Sequence, residues 1–304
     1  MNQEDLLASI GENGFISRIQ RLFKNDASVI KGIGDDAAVL SFTKDKYLLL
    51  TTDMLIEEIH FKKHAAPRRI GHKALACNIS DIAAMGGVPR YAVVSVGLPG
   101  RMNMRFAKEI CRGMSDISKK YNINIVGGDT NRAQSIVINV ALLGFVEKKN
   151  LIVRSGAKEG DIIFVTGVLG GSLSSQRHLT FSPRIKEARY LVNHFHLNAM
   201  IDISDGLALD LHRIAESSKV GAKLFASAIP KKKNVSLTQA LYDGEDFELL
   251  FTLSPREAQK LDRKKRLTTP LHMIGIIAKK SSGITLIQED GTKRKIKPRG
   301  YTHF

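Results

Sequence analysis

The sequence predicts two domains of alternating strands and helices, an α/β and α+β architecture with a boundary near residue 148. Its 304 residues exceed the usual size of a single hydrophobic core, so two domains are expected. Apolar runs with strand character alternate with helical patterns along the chain. A polar break at residues 147–150 separates one such series from the next. We therefore expect one domain over residues 1–148 and a second over residues 149–304.

The N-terminal half opens with apolar residues at helical spacing over residues 6–23, interrupted near residues 11–14. This pattern predicts two short amphipathic helical pieces. A helix of small residues is predicted over residues 71–85, where two glycines and Pro89 end it. The other predicted elements of this half are strands at 47–52, 91–98, 123–126 and 136–146 and a helix at 104–121.

A short apolar run at residues 162–166 predicts the strand that opens the C-terminal half. The next predicted strand, at residues 199–203, leads into an aspartate-containing segment, and a helix follows it through Ala215. Further strands are predicted at residues 247–253, 273–277 and 284–287.

Seven aspartates lie in five short segments that also contain glycine, serine or threonine. The segments are GIGDDAAV at 32–39, TTD at 51–53, NISD at 78–81, GGDT at 127–130 and DISDG at 202–206. Each adjoins an apolar run, so we expect each where a strand or helix ends. Carboxylates brought together would repel one another by about 4 kcal/mol per pair at roughly 4 Å. A cation is therefore expected among them, and these hard oxygen ligands favour Mg²⁺ and a polyphosphate.

Each aspartate taken alone has a simpler explanation. An aspartate before a helix is more often an N-cap than a ligand, and Gly32-Ile33-Gly34 by itself indicates only a tight turn. Asn78 and Asp81, three residues apart, share one face of a helix. The sequence contains no P-loop motif of the form G-x-x-x-x-G-K-[ST]. The five segments together are what favour a single site.

The net charge of +16 is concentrated at the C-terminal end, where residues 255–304 hold 13 Lys or Arg against 4 Asp or Glu. A solvated basic face is the simplest interpretation, and attraction of anionic substrates or non-specific RNA contact are the functional ones. Few aromatic residues lie among the basic clusters, so we expect no base-stacking platform and no specific nucleic acid.

The composition is that of a globular protein, with 43% hydrophobic and 25% charged residues. The first ten residues lack the pattern of a signal peptide, and no apolar run approaches the roughly 20 residues of a membrane-spanning helix. Only two cysteines occur, Cys77 and Cys111, without metal-ligand spacing. A cytoplasmic protein without membrane contact is the expectation.

Seven motifs closely resemble those of thiamine-monophosphate kinases, in the same order and near the same spacing. They are GIGDDAAVL, TTDMLIEEIHF, GHKALACNISDIAAMGGVP, GGDTNR, VRSGAKEGD, IDISDGLALDL and DGEDFELLF, and they cover most of residues 30–280. The first marks only the wider aminoimidazole-ribonucleotide (AIR)-synthetase-like superfamily, whereas the combination is more specific. The resemblance implies an AIR-synthetase-like fold, a homodimer formed through the N-terminal sheet, and ATP-dependent phosphorylation of thiamine monophosphate to thiamine diphosphate.

The resemblance also implies the residues of the site. Several magnesium ions would be held by Asp36, Thr51, Thr52, Asp53, Asp81, Asp129, Asp202 and Asp205. ATP would contact Gly128, Asp129, Arg154 and Ser204, and the acceptor would contact His60 and Glu245. No catalytic base is assigned, because a phosphate monoester is already mostly dianionic at pH 7. In-line transfer to it needs positioning and charge neutralisation instead.

Four residues near these positions have structural interpretations. A surface arginine is the simpler interpretation of Arg154, whereas for His60 a packed histidine and a substrate contact have equal support. Asp35 is interpreted as a supporting or capping group beside Asp36, and Cys77 as a small core residue.

The chain departs from the family pattern at three places. Members often carry an aromatic residue, commonly tryptophan, near the C-terminus that covers the thiamine rings, but here that position is Pro298 and no tryptophan occurs. Tyr301 is the candidate to replace it. The first glycine of a GGEDYEL motif is Asp243, and the stretch over residues 170–183 is short.

Two competing functions stay open at this point. Another kinase or synthetase of the superfamily would keep the aspartates but act on a different acceptor. A selenophosphate synthetase would be expected to carry a reactive Cys near the N-terminus, whereas the first Cys here is Cys77. A basic RNA-binding protein would explain the net charge but not five ordered aspartate motifs.

Overall fold

A computed structural model describes residues 6–263 and 267–302, apart from the side chain of residue 13. The first half forms a six-stranded mixed sheet with strand order β1-β2-β3-β6-β4-β5. Its elements are α1 Leu7–Ile19, β1 Val29–Lys31, β2 Ala38–Ser41, β3 Lys46–Ile56, α2 Pro67–Ala84, β4 Val88–Leu98, α3 Met104–Tyr121, β5 Asn124–Arg132 and β6 Val137–Glu147. Within this sheet β4 and β5 pair in parallel, and the other neighbouring strands pair antiparallel.

Helix α2 covers one face of this sheet, and α3 packs across α2. The helices cross where a Cβ on Gly71 would lie 1.9 Å from the Ile110 carbonyl, and one on Gly113 would lie 1.9 Å from the Arg68 carbonyl. Only glycine permits that approach of two backbones. The helices therefore pack closely enough to bury almost the whole of α2, which fixes the aspartate near its C-terminal end.

The opposite face of the first sheet, which we call the uncovered face, carries apolar side chains without a covering layer. Leu50, Met54, Tyr91 and Val93 are each 39–51% exposed there. Strand β5 forms one edge of the sheet and is exposed at every residue. An apolar face beside an unpaired edge strand is typical of a sheet that pairs with another chain.

The second half forms a seven-stranded sheet with strand order β13-β12-β9-β11-β7-β10-β8. Its strands are β7 Ile162–Thr166, β8 Leu197–Asp202, β9 Gly221–Phe225, β10 Leu249–Leu253, β11 Leu271–Ala278, β12 Ile284–Ile287 and β13 Lys293–Lys295. Its helices are α4 Ile185–His194, α5 Leu207–Ser218, α6 Leu237–Tyr242 and α7 Pro255–Arg263. Strands β7 and β10 inside the sheet and β8 at its edge are almost wholly buried, as expected for strands covered on both faces.

The two halves share buried contacts around α2. Phe181 and Phe247 of the second half stack with ring centroids 4.0 Å apart and belong to the core of the first half. Ala83 and Ala84, at the end of α2, pack into a cluster made otherwise by the second half. Helix α2 therefore packs against the first sheet and also contacts the second half of the chain.

Most predicted elements are present, including the helix over residues 104–121 and the strands at 162–166 and 284–287, whose bounds match. The interruption predicted near residue 11 is a kink at Gly11 within α1, with φ 66°. Two expectations were wrong. Strand β3 continues through Asp53 to Ile56, and residues 127–130 lie inside β5 rather than after a strand. Among the described residues, no helix is both long enough and apolar enough to cross a membrane.

Candidate active site

Three aspartates from different parts of the fold converge where the two halves meet. Asp36 precedes β2, Asp81 lies on α2, and Asp202 ends β8. One carboxylate oxygen of each lies within 4.8 Å of the others. We call this group the carboxylate triad. The sequence spacing between its members is long, so the fold and not a local motif brings them together.

The triad is electrostatically unfavourable without a cation. Burial and neighbouring carboxylates raise the pKa of Asp81 and of Asp202 well above the usual value. Burial also raises the pKa of Asp36, whose Oδ2 atom is buried without a hydrogen-bond partner. A buried carboxylate oxygen without a partner is costly. The donor set, hard oxygen atoms with several negative charges, fits a divalent cation such as Mg²⁺.

Hydroxyl groups support two members of the triad. Thr51 Oγ1 donates to Asp81 at 2.5 Å, and Ser80 Oγ donates to Asp202 at 2.6 Å. Ser80 sits beside Asp81 on α2 and so ties the helix to the end of β8. These bonds fix the orientation of the carboxylates and do not neutralise them.

One arginine reaches the triad. Arg154 Nη2 donates to Asp36 Oδ1 at 2.7 Å, and its backbone N–H donates to Asp35 Oδ1 at 3.1 Å. The interpretation of Arg154 as a surface arginine was wrong, because only 18% of its side chain is exposed. Asp35 orients the backbone of Arg154 beside the triad, which is consistent with its interpretation as a supporting group.

A cavity of about 300 Å³ adjoins the triad at Asp81. Besides Asp81, its lining includes six of the predicted site residues: Thr52, Asp53, His60, Ser204, Asp205 and Glu245. Burial and the negative charges of Glu245 and Asp205 raise the pKa of Asp53 to about 6. The cavity is therefore an extension of the acidic centre. Cys77, buried as expected of a core residue, also reaches its wall.

His60 has a defined tautomer in this cavity. Its Nδ1 accepts a hydrogen bond from the backbone N–H of Ile56 at 2.9 Å. A neutral imidazole that accepts at one nitrogen carries its proton on the other. His60 therefore carries its proton at Nε2, and the residue lines the cavity.

Lys73 is a site residue that the sequence interpretation missed. It lies on α2 and is only 1% exposed, yet its Nζ lies 2.6 Å from Glu245 Oε2 and donates to the His60 carbonyl at 2.9 Å. The other charged residues that line the cavity are acidic. Lys73 is thus the fixed positive charge of an otherwise acidic cavity, and it holds together the two residues expected to contact the acceptor.

The segment that carries Glu245 has an unusual backbone. Glu245 and Phe247 adopt left-handed conformations, with φ of 59° and 51°, which are costly for residues other than glycine. The intervening Asp246 is held by Arg177 Nη2 at 2.6 Å, and Glu248 by Arg184 Nε at 2.6 Å. These buried pairs hold the segment from behind while Glu245 and Phe247 face the cavity.

Asp205 occupies the turn before α5, as predicted. Its side chain pairs with Arg213 at 2.6 Å. Its backbone N–H and that of Gly206 both donate to Asp210 at 3.1 Å. Asp205 is therefore not the N-cap of the helix, since the buried Asp210 satisfies those N–H groups.

Gly128 and Asp129 do not lie at this site within one protomer. They are on β5, three strands from β3, or about 14 Å at roughly 4.8 Å per interstrand spacing. Asp129 is in register with Ser95, Ser95 with Asn139, and Asn139 with Met54. In-register residues share a face, so Asp129 points to the uncovered face.

Comparison with known proteins gives a consistent result. The family models AIR synthase related protein, N-terminal domain, and AIR synthase related protein, C-terminal domain, match residues 34–146 and 158–284. The thiamine-monophosphate kinase of Bacillus subtilis is 35% identical over 91% of this chain and 94% of its own. The chain belongs to the thiamine-monophosphate kinase family.

Solved structures of the family share the whole fold. A structure described as AaThiL complexed with AMPPCP and TMP has a TM-score of 0.85 and 30% identity, covering 98% of this chain and 99% of that one. The thiamine monophosphate kinase from Aquifex aeolicus has a TM-score of 0.78 and 28% identity, covering 97% and 100%. The fold expected from the sequence, two AIR-synthetase-type domains, is confirmed for this family member.

Proposed function

We propose that the chain transfers the γ-phosphoryl group of ATP to the phosphate of thiamine monophosphate, releasing thiamine diphosphate and ADP. The observation that carries this proposal is the carboxylate triad. Its three carboxylates have Arg154 as their paired cation, and the triad adjoins a cavity lined by His60 and Glu245. A relative at 35% identity over nearly the full length is a thiamine-monophosphate kinase, and one structural neighbour was solved with AMPPCP and TMP.

We propose that several magnesium ions are held by the triad together with Thr51, Thr52, Asp53 and Asp205. The raised pKa values of Asp53, Asp81 and Asp202 support this, because carboxylates that are unstable as anions alone are stabilised by a bound cation. When bound, such ions neutralise and align the phosphate oxygens of both substrates.

Arg154 and Ser204 are the proposed ATP contacts of the same protomer. The Arg154 guanidinium is a planar fork that suits phosphate oxygens, and it already lies beside Asp36. Ser204 lines the cavity next to Asp205. Both would orient the polyphosphate so that its terminal group faces the acceptor.

The acceptor is proposed to lie against His60, Lys73 and Glu245. His60 supplies an N–H donor and Lys73 a positive charge, and both suit an anionic phosphate. Phe247 and Tyr301 line the same cavity and offer aromatic surface for the thiamine rings in a chain without tryptophan. The dianionic acceptor is already a nucleophile, so no side chain needs to remove a proton.

We also propose a homodimer in which the partner completes the site with Gly128 and Asp129. The exposed apolar residues of the uncovered face and the unpaired edge of β5 support pairing with a second copy. The distance of roughly 14 Å to β3 within one protomer, three interstrand spacings, supports contribution in trans.

The function is tested by a coupled ADP-release assay with three acceptors: thiamine monophosphate, thiamine and an aminoimidazole precursor. Turnover is expected with thiamine monophosphate alone, because the site is proposed to bind a phosphate acceptor. Equal turnover of free thiamine, or none with the monophosphate, would overturn the proposal in favour of another kinase or synthetase of the superfamily.

The dimer is tested by mixing two inactive variants, Asp81→Asn and Asp129→Asn. If Asp129 acts in trans, mixed dimers contain one intact site, and mixing restores activity to a fraction of the wild-type level. If Asp129 acts within its own protomer, every site in the mixture keeps one defect and activity does not return. Light scattering at micromolar concentration gives the mass independently.

A further inference from the structure

A cluster of positive charge near the C-terminal end lines a groove outside the proposed active site. This groove, which we call the basic groove, lies between α6 and the strands β12 and β13 and has a volume of about 480 Å³. Four cations line it: Arg294, Lys295, Lys297 and Arg299. It accounts for much of the C-terminal basic surplus that the proposed reaction does not use.

The charges of the basic groove are not balanced by the protein. None of its lining residues is an aspartate or glutamate. Within the described residues, none of the four cations forms an ion pair. Like charges held on one short strand and the segment after it repel one another, and an anion in the groove would relieve that repulsion.

The floor of the basic groove is apolar. Leu241 and Leu286 are each less than 5% exposed, and Ile296 is 5% exposed. Tyr242 adds a half-buried aromatic ring at the same wall. A simple inorganic anion would use only the cations, whereas a ligand with a flat ring and phosphate groups would use both the floor and the rim.

The basic groove and the active-site cavity lie on opposite sides of one chain segment. Gly300 lines the groove and Tyr301 lines the cavity. The Tyr301 N–H donates to the Asp205 carbonyl at 2.9 Å, and a Cβ on Gly300 would lie 2.2 Å from that same oxygen. The two spaces are therefore neighbours, and a ligand in the groove would not occupy the proposed acceptor position.

We propose that the basic groove binds a ring-bearing organic di- or triphosphate, and that this binding requires no divalent metal. The cations would hold the phosphate groups and the apolar floor would hold the ring. The groove differs in this from the active site, whose acidic groups repel polyphosphates unless magnesium is present.

The test is calorimetric titration of the full-length protein with ATP and with inorganic triphosphate, in EDTA at low salt. One ATP per chain is expected, bound at least threefold more tightly than inorganic triphosphate. The variant Arg294→Glu/Lys297→Glu should weaken ATP binding at least tenfold. The control Lys108→Glu/Lys119→Glu makes the same charge change on exposed positions of α3 and should weaken it less than twofold.

Four results would overturn the proposal: no binding in EDTA, equal weakening in the control variant, equal affinity for inorganic triphosphate, or displacement of ATP by a lower molar concentration of an oligouridine RNA. The last would indicate a nucleic-acid surface. The Arg294→Glu/Lys297→Glu variant should keep thiamine-monophosphate turnover within twofold of wild type. Failure of the groove proposal is therefore distinguishable from failure of the proposed reaction.

Discussion

Two groups of buried acids lie near each other in this protein and are treated in opposite ways. The carboxylate triad holds Asp36, Asp81 and Asp202 together with one arginine near Asp36. The second group, which we call the paired acids, consists of Asp246 and Glu248, each bound to an arginine. Burial raises the pKa in both groups, but the neighbours differ. Neighbouring aspartates raise the pKa of Asp81 further. Neighbouring arginines and hydrogen-bond donors instead offset part of the rise for Asp246 and Glu248.

The difference separates a site from a structural element. The paired acids have their counter-charges built into the fold, together with donors such as Thr166 Oγ1, which lies 2.6 Å from Glu248. They hold the strained segment of Glu245 and need nothing from solution. The triad has its charge balanced only in part, so it is stable as a fully ionised group only when cations bind. A buried acidic cluster whose charge is balanced by cations from solution is characteristic of a metal or substrate site.

The largest expected effect is on the triad. Asp81→Asn should lower turnover by about 10²–10³-fold, as when one group of a preorganised electrostatic site is removed. Because it also removes a repulsive charge, the melting temperature in EDTA should stay the same or rise. The measurement is a paired melt and turnover assay with and without Mg²⁺. Near-wild-type turnover would sink the interpretation of the triad as a metal site.

The paired acids should respond in stability instead. Arg184→Met removes the two shortest charged contacts of Glu248 and leaves it with the Thr166 hydroxyl and with Arg177 Nη1 at 3.6 Å. Breaking a buried pair costs about 3 kcal/mol or more. Unfolding in denaturant should detect this equally with and without Mg²⁺. The control Arg112→Met removes the partner of Glu109 on the surface of α3 and should cost less than about 1 kcal/mol. Equal losses of unfolding free energy in both variants would show that the buried Arg184–Glu248 pair contributes no more to stability than the surface pair.

Asp210 is an intermediate case between the two groups. It is buried and paired with Arg213, like the paired acids, but it also accepts the backbone N–H of Asp205, a proposed metal ligand. Asp210→Asn should lower activity by about tenfold, the lower end for a residue that orients a ligand. Higher Mg²⁺ should restore part of it. A loss that Mg²⁺ cannot restore would assign Asp210 to the structural group.

Sequence reasoning was effective where a short segment carries its own signal. The aspartates of the triad were predicted because they sit in short motifs that contain glycine or serine, and helix α3 was predicted from its periodicity. The segment at 127–130 was expected after the end of a strand, but it lies inside β5. A Cβ on Gly128 would come within 1.7 Å of the Val94 carbonyl, so close approach to β4 explains the glycine.

Residues that act through long-range pairing were missed. Arg177 and Arg184 resemble surface arginines in sequence, and their partners lie 69 and 64 residues away. Lys73 resembles a solvated helix lysine, although α2 is buried on nearly every side. No local sequence pattern predicts which lysine will be buried. The placement of Asp129 on β5, three strands from β3, likewise depends on strand order, which residue spacing does not reveal.

The smallest expected effect is a pH dependence of stability that arises from Asp53. The pKa of Asp53 is raised from 3.8 to about 6 in the folded, metal-free protein. Between these values the folded state binds more protons than the unfolded state, so stability falls as pH rises through about 6. Burial lowers the pKa of His72 and His178, which gives the opposite trend, so the comparison must be with a matched variant.

Asp53→Asn removes the Asp53 contribution and keeps both histidines. In EDTA, the wild-type protein should lose about 1 kcal/mol relative to Asp53→Asn between pH 5 and pH 7, or roughly 2 °C in melting temperature. In saturating Mg²⁺ the difference should disappear or reverse, because a bound cation favours the ionised carboxylate. A difference that is the same in EDTA and in Mg²⁺ would mean that Asp53 titrates without sensing a metal. Asp53 would then resemble the paired acids, and the contrast between the two groups would hold only for the triad itself.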